Sequence, residues 1–404
     1  MAIKILHFSD IHARDNDIDE IKKCLEEIVQ VASTERPDLI TCAGDVFDSQ
    51  NVKLDSKSAK LIFNVFSDLA DIAPVVVVIG TPSHDGTAAE VLRHIKAKHE
   101  VWVSGRPEQF CMVKNGMFTR CPEIDDDIAC VITMVPTPTK QFFNSDSDIK
   151  GTDNEIAQAM GAMFAGFGAS AADDKAAGIP HVLVGHFQVG GAFISETQQL
   201  NGMDIEISRE QCGYAQADVV MLGHIHKAQQ IGQNIFYSGS IYRKDFGEMD
   251  DKGFYLHEID DAGFLSSRFI ETPTRKLIRI SHDFTQDDGD GFPSKCKKVF
   301  DNMAGAIIRV EMKVYQDDAI KIEKDKIISI FEGAAEVDVR IIRIPRENVR
   351  SAHILKLFTL REKIQEMASL KSETVPGSIL AKADFLENMT TDQVLAGAIA
   401  GGAA

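Results

Sequence analysis

Five short Asp/His motifs each stand directly after a stretch that reads as a β-strand. They are Asp10-Ile11-His12, Gly44-Asp45-Val46-Phe47-Asp48, Ser83-His84-Asp85, Gly185-His186 and Gly223-His224-Ile225-His226. The apolar runs before them cover 3–8, 39–43, 75–79, 181–184 and 219–222. A single Asp or His after a strand is ordinarily a turn residue or a helix cap. An ordered series asks for a fold that carries several strand ends to one sheet edge, which is what a two-metal site needs. Asp offers hard anionic oxygen and His offers imidazole nitrogen, a mix suited to Mn, Fe or Zn. Two cations about 3.5–4 Å apart clamp both the attacking and the leaving oxygen of a phosphate ester.

Between these strands the apolar spacing is helical. Ile18, Ile21, Leu25, Ile28 and Val29 predict a helix over 17–33, and Ile62, Val65, Phe66 and Leu69 predict another over 57–70. Pro37 and Pro74 mark the return to extended chain. Residues 144–180 interrupt the motif series. Thr152 and Glu155 have capping-box spacing there, ahead of an Ala/Gly/Met-rich helix and a polar loop. That segment is a connecting helix or a substrate-covering loop. Strands are expected at 276–281, 306–315 and 336–344, with helices over 294–303 and 319–331. Asp287, Asp288 and Asp290 read as a solvated loop. Lys295, Lys297 and Lys298 read as a solvated helix face or a phosphate contact. Near the C-terminus, Leu357, Leu360, Ile364, Met367 and Leu370 form a stripe at helical spacing. Pro376-Gly377 breaks it, Ser378 is placed to cap a second helix, and 392–399 is a third short one.

A chain of 404 residues has room for two or three domains. Seven scattered cysteines with no CxxC pair read as free thiols in a reducing, cytoplasmic setting, with Cys42 as core packing. No long uncharged apolar run suggests a membrane span. The net charge of −18, from 43 basic and 61 acidic residues, argues against a protein that coats nucleic acid electrostatically. It leaves local phosphate binding open, because two divalent cations outweigh the charges of Asp10 and Asp45.

The ordered motifs resemble the calcineurin-like metallophosphoesterase superfamily over residues 1–270. Leu6-His7-Phe8-Ser9-Asp10-Ile11-His12, Tyr237-Ser238-Gly239-Ser240 and Arg243-Lys244-Asp245-Phe246-Gly247-Glu248 are similar to the SbcD-type nuclease subunits of a DNA double-strand-break repair complex. The resemblance implies an α/β fold: two packed β-sheets flanked by helices at 1–270, a small α/β capping domain at 271–346 and a helical partner-binding tail at 347–404. It implies that Asp10, His12, Asp45 and His226 hold one metal. Asp45 then bridges to a second, which His186 and His224 also bind. His84 corresponds to the catalytic histidine beside the scissile phosphate, oriented by Asp85. Asp48 either orients a ligand or serves a plain turn, and Arg243 and Lys244 are candidate phosphate contacts. One departure stands out. The family's Gly-Asn-His-Asp/Glu is replaced by Gly80-Thr81-Pro82-Ser83-His84-Asp85, which puts Ser83 in the place of an Asn ligand.

By that resemblance the chain is expected to be a two-metal-dependent DNA phosphodiesterase, with exonuclease and endonuclease activity, using Mn²⁺. It would work in an SbcCD-like repair complex with an SMC-like ATPase that receives the tail, and a homodimer is compatible with this. A phosphatase or phosphodiesterase for small nucleotides or phosphoproteins shares the same metal motifs. A non-catalytic scaffold with a degenerate site at Ser83 is the reading from another class.

Overall fold

A computed structural model describes residues 2–120, 127–139, 153–196, 198, 205–286, 289, 291–346, 354–390 and 393. Thr152, the acidic run Asp287, Asp288 and Asp290, and all of the expected 392–399 helix but Gln393 lie outside the described residues. The chain divides into two units. The first takes 1–281, 291–311 and 324–340, and the second takes 282–290, 312–323 and 341–404.

The first unit contains two packed sheets flanked by helices, as the motif series requires. Across the first sheet the strands run Gly263–Glu271, Gly253–Asp260, Ile3–Phe8, Leu39–Cys42, Val75–Val78 and Val101–Ser104. The last four are parallel, and Gly253–Asp260 joins Ile3–Phe8 antiparallel. The second sheet runs Gln229–Ile231, Ile235–Tyr237, Val219–Gly223, His181–His186, Ile128–Val135, Glu108–Val113 and Phe118–Thr119. Its centre, Val219–Gly223 beside His181–His186 beside Ile128–Val135, is parallel.

Val75–Val78 shows why these runs are continuously apolar. Val76 and Val78 pack into a core with Met134, Val184 and Met221 of the second sheet. Val75 and Val77 pack the other way, against Leu25 and Ile28 of the Ile18–Glu35 helix and Phe66 and Leu69 of the Lys57–Ile72 helix. A strand buried on both faces has no polar side to alternate with. The Lys57–Ile72 helix starts where Ser56 accepts the Ala59 N–H at 3.1 Å. On the outer face of the second sheet, Ile156, Met160 and Phe164 of the Asp153–Ser170 helix pack against Leu183, Val220 and Leu222.

Strand register carries the motifs to one edge. Phe8 pairs with Cys42 and His186 with Gly223, so paired parallel strands end together and their following loops emerge side by side. Ligands of α/β sheets gather at these carboxyl ends. Gly223 is required by the close approach. A Cβ there would lie 2.1 Å from the Ala43 carbonyl oxygen and 2.9 Å from the Ser9 Cβ.

Further along, Leu277–Asp283, Ile307–Tyr315 and Glu336–Ile344 are strands of a three-stranded sheet with Ile307–Tyr315 in the middle. The helix expected over 319–331 is broken. Ala319–Lys321 is a short 3-10 turn, Ile322 is extended, and a helix resumes at Lys324–Ser329. A β-branched residue whose backbone turns extended ends the helical ladder.

In the second unit, Leu360–Leu370 is opened by a capping box between Thr359 and Glu362. It pairs with Gly377–Glu387 through an Arg361–Asp384 ion pair and a bond from the Leu360 N–H to Glu387. Pro376, not Ser378, holds the N-cap position of the second helix. Met367, Leu370, Ile379, Phe385 and Leu386 are exposed on this hairpin, and Phe358 just ahead of it is 93% exposed. Cys24, Cys42, Cys130, Cys212 and Cys296 are free thiols buried in the fold. No described helix is long and apolar enough to cross a membrane.

Candidate metal centre

The loops after Ile3–Phe8 and Leu39–Cys42 are zipped together. Asp10 N–H donates to the Gly44 carbonyl, His12 N–H to that of Asp45 and Ala13 N–H to that of Val46, each at 2.9 Å. Sharp turns are needed to aim the side chains inward. Asp10, His12, Asp45 and His224 all have positive φ, at 52°, 45°, 52° and 89°. Side chains rarely adopt this backbone region, and it persists where surrounding structure enforces it for function.

Among the described residues, three groups of ligand-type atoms result, each within 4.8 Å of one another: Asp10 with His12 and His226, His12 with Asp45 and His84, and Asp10 with Asp45 and His186. Asp45 is buried between two histidines, its Oδ2 lying 3.7 Å from His12 Nε2 and 3.4 Å from His186 Nε2. Its Oδ1 accepts the Thr81 N–H at 2.6 Å. Asp10 accepts from the Ser9 hydroxyl at 2.5 Å and from the His224 N–H at 3.1 and 3.2 Å. The His224 ring stands 5.3 Å from that of His186 and belongs to none of the three groups.

The imidazoles of His84, His186 and His226 are each anchored through Nδ1, which leaves Nε2 to be presented. His186 Nδ1 lies 2.7 Å from the Ala43 carbonyl oxygen, which can only accept, so Nδ1 carries the proton. His226 Nδ1 lies 2.6 Å from Glu248 Oε1. His84 Nδ1 lies 2.9 Å from the Asp48 carbonyl oxygen. This leaves the Nε2 atoms of His12 and His226 facing each other at 3.0 Å.

Such a cluster is poorly suited to stand alone and well suited to a cation. Burial opposes charge on every member, so the shifts diverge. Burial holds His12 well below its ordinary value, and burial with the neighbouring His186 brings His224 down to about 3. Burial raises Asp10. Burial would lower His186, but Asp45 beside it overrides this and lifts it to about 9. Burial would likewise raise Asp45, and the flanking His186 instead holds it far below the carboxylate range. Imidazole nitrogens converging on carboxylate oxygens form the donor set of an Mn, Fe or Zn site, and a cation bound there would take the place of the proton that Asp45 holds on His186.

The support around His226 has no signal in sequence spacing. Glu248 is buried and also takes the Ser240 hydroxyl at 3.2 Å, the Lys244 N–H at 3.3 Å and Lys252 Nζ at 3.1 Å. Lys252 is itself buried and donates to the His226 carbonyl at 2.9 Å. A carboxylate on the far nitrogen fixes a ligand's tautomer and raises its basicity, and its loss costs roughly 10–100-fold in metal affinity. Glu248→Gln, which keeps an acceptor but removes the charge, should weaken the Asp10/His12/His226 position by about that factor. Calorimetric titration of the apo protein with Mn²⁺ measures it, and unchanged affinity would mean Glu248 serves only to pair Lys252. Gln198 adds a second brace, accepting the His226 N–H at 3.0 Å and donating to the His224 carbonyl at 2.5 Å.

Asp85 and Ser83 are placed differently from expectation. Asp85 does not hold His84. It is buried, and its two oxygens accept the Phe47 N–H at 3.0 Å and the Gly80 N–H at 2.9 Å, tying the two neighbouring loops together. Burial and the nearby Asp45 charge push it up to about 7. The Asp48 carbonyl orients His84 instead. The Asp48 carboxylate lies 3.6 Å from His12 Nδ1 and 3.0 Å from Lys244 Nζ. Ser83 is exposed, and its carbonyl accepts the Gln50 N–H at 3.1 Å. Arg243 is spent on structure, donating to the carbonyls of Asp250 and Arg275.

Comparison with known proteins fits this centre. The chain is 25% identical over 301 residues to the D subunit of nuclease SbcCD from Staphylococcus epidermidis, covering 70% of this chain and 73% of that one. It is 25% identical to the protein of the same name from Staphylococcus saprophyticus, over 70% of this chain and 72% of the relative. A putative phosphoesterase 244L of Invertebrate iridescent virus 6 is 21% identical over 69% of this chain and 85% of its own. Residues 3–228, which hold every ligand of the three groups, match the calcineurin-like phosphoesterase family, and the chain belongs to that family.

Proposed function

We propose that this phosphoesterase is a two-metal-dependent DNA phosphodiesterase, the nuclease subunit of an SbcCD-like repair complex. The observation that carries the reading is that Asp10, His12, Asp45, His186 and His226 meet in overlapping groups of ligand-type atoms, with His84 beside His12 and Asp45. Asp10, His12 and His226 would hold one cation. Asp45 and His186, with His224 alongside, would hold the other, Asp45 being common to both. Mn²⁺ is the expected ion. Bound there, the cations would draw charge from phosphate oxygens and acidify a water for attack. The chain's own residues then do the following. Asp48 anchors His84 Nδ1, leaving Nε2 to donate a proton to the departing oxygen. Glu248 and Ala43 lock His226 and His186 in the tautomer that offers Nε2. Lys244, at the Asp48 carboxylate, places a cationic group beside the cluster.

The DNA substrate and the ATPase partner rest on the two staphylococcal SbcCD relatives and on the exposed apolar side chains of the Leu360–Leu370/Gly377–Glu387 hairpin, a surface that favours a partner helix. The test is an activity panel with Mn²⁺ on plasmid DNA, DNA hairpins and small phosphodiesters. DNA cleavage supports the reading. Turnover of small esters alone would make the chain a small-molecule phosphodiesterase, and absence of turnover a scaffold. A chain ending at Arg346 should keep Mn²⁺-dependent cleavage of single-stranded DNA but lose capture of a coexpressed SMC-like ATPase and ATP-dependent activity on duplex ends. Normal capture would make the hairpin structural.

A further inference from the structure

Near the second cation position, the residue that matters is not the one that sequence position singles out. Reading back from His84-Asp85 puts Ser83 where the family pattern has an amide. The chain turns differently. The N–H groups of His84 and Asp85 both bond to the Thr81 carbonyl, at 2.9 and 3.0 Å, closing a tight turn. Pro82 and Ser83 lie exposed on its outside, and the Ser83 carbonyl accepts from Gln50 N–H at 3.1 Å. Thr81 stays next to Gly80, at the end of the Val75–Val78 strand. Gly80 packs so closely on Asp45 that a Cβ there would lie 2.2 Å from Asp45 Oδ1.

From that position the Thr81 hydroxyl lies 3.2 Å from Asp45 Oδ2 and 3.3 Å from His186 Nε2. These are the two atoms that define the second position. The Thr81 N–H meanwhile occupies Asp45 Oδ1 at 2.6 Å, so that Oδ2 is the oxygen directed at His12 and His186. One residue thus orients the shared carboxylate through its backbone and presents a neutral oxygen through its side chain.

We infer that Thr81, and not Ser83, supplies its hydroxyl to the cation held by Asp45 and His186 and sets the affinity of that position. The inference rests on the two-cation reading above. A neutral hydroxyl is a weak, hard donor, so the second cation should bind more weakly than the first and load after it. The Pro82-Ser83 pair is then an outward loop with no part in binding metal.

The experiment is titration of the full-length apo protein with Mn²⁺, followed by calorimetry and by electron paramagnetic resonance, which distinguishes a coupled pair from a single ion. The unaltered protein should show two steps. Thr81→Val, close in shape but without the hydroxyl, should weaken the second step by roughly 10–100-fold, the scale of losing a supporting polar group at a metal site. The first step should be retained. Thr81→Ser should restore the second step, and Ser83→Ala should titrate like the unaltered protein. If the valine variant fails to fold, Thr81→Ala carries the same comparison. A normal second step in both hydroxyl-deleted variants, or a second step lost in Ser83→Ala, overturns the assignment of Thr81. A single step in the unaltered protein overturns the two-cation reading itself, and that failure is seen before any variant is made.

Discussion

Asp45→Ala should leave the protein unable to hold either cation and reduce hydrolysis to background. Asp45 stands between His12 and His186, its Oδ2 at 3.7 Å from His12 Nε2 and 3.4 Å from His186 Nε2. A carboxylate in that place is what lets two like-charged ions sit close together, because one anion neutralises both. Without it, Asp10 is the one carboxylate left within the three groups, and burial already disfavours ionised Asp10. His226→Ala, by contrast, removes a ligand from one group only and should weaken one cation. Metal analysis and calorimetry on both purified variants check the contrast. Full dinuclear occupancy in Asp45→Ala would refute the bridging role. Circular dichroism on the purified variant separates loss of metal from loss of fold, since Asp45 also accepts the Thr81 N–H and pairs with His186.

His84→Ala should keep the cations and lose roughly 10²–10⁴ in rate, the span of general acid assistance. The ring is half-buried, its Nδ1 is fixed on the Asp48 carbonyl at 2.9 Å, and its centroid lies 4.6 Å from that of His12. It therefore sits at the cluster with one nitrogen anchored and the other free to serve. Donation to the leaving oxygen predicts a signature beyond a slow rate. A phosphodiester with an acidic phenol as leaving group needs little protonation and should be far less impaired than DNA. Single-turnover kinetics at saturating Mn²⁺ on both substrates decide it. Equal losses on both would assign His84 to phosphate charge stabilisation, and unchanged turnover on DNA would make it structural.

Much of this was legible in the chain itself. Val75–Val78, Leu39–Cys42 and Val219–Gly223 announce themselves as strands by their apolar runs, and the fold buries them on both faces. The helices Ile18–Glu35 and Lys57–Ile72 follow from apolar spacing. The Asp/His motifs stand at strand ends because parallel pairing brings those ends together. All of this is local information: residue type, period and the residues on either side. Tertiary structure alone decided which atoms meet. Glu248 reaches His226 across 22 residues, Gln198 reaches it across 28, and Thr81 reaches His186 across 105, and no spacing rule encodes such pairs. Adjacency even misdirects. Ser83 and Asp85 flank His84, yet Ser83 turns outward and Asp85 grips the backbone of Phe47 and Gly80. The ligand types were set by short motifs because metals need particular donor atoms. Their orientation was set by burial, since most buried polar atoms find a partner wherever the fold supplies one, as Nδ1 of His186 does at the Ala43 carbonyl.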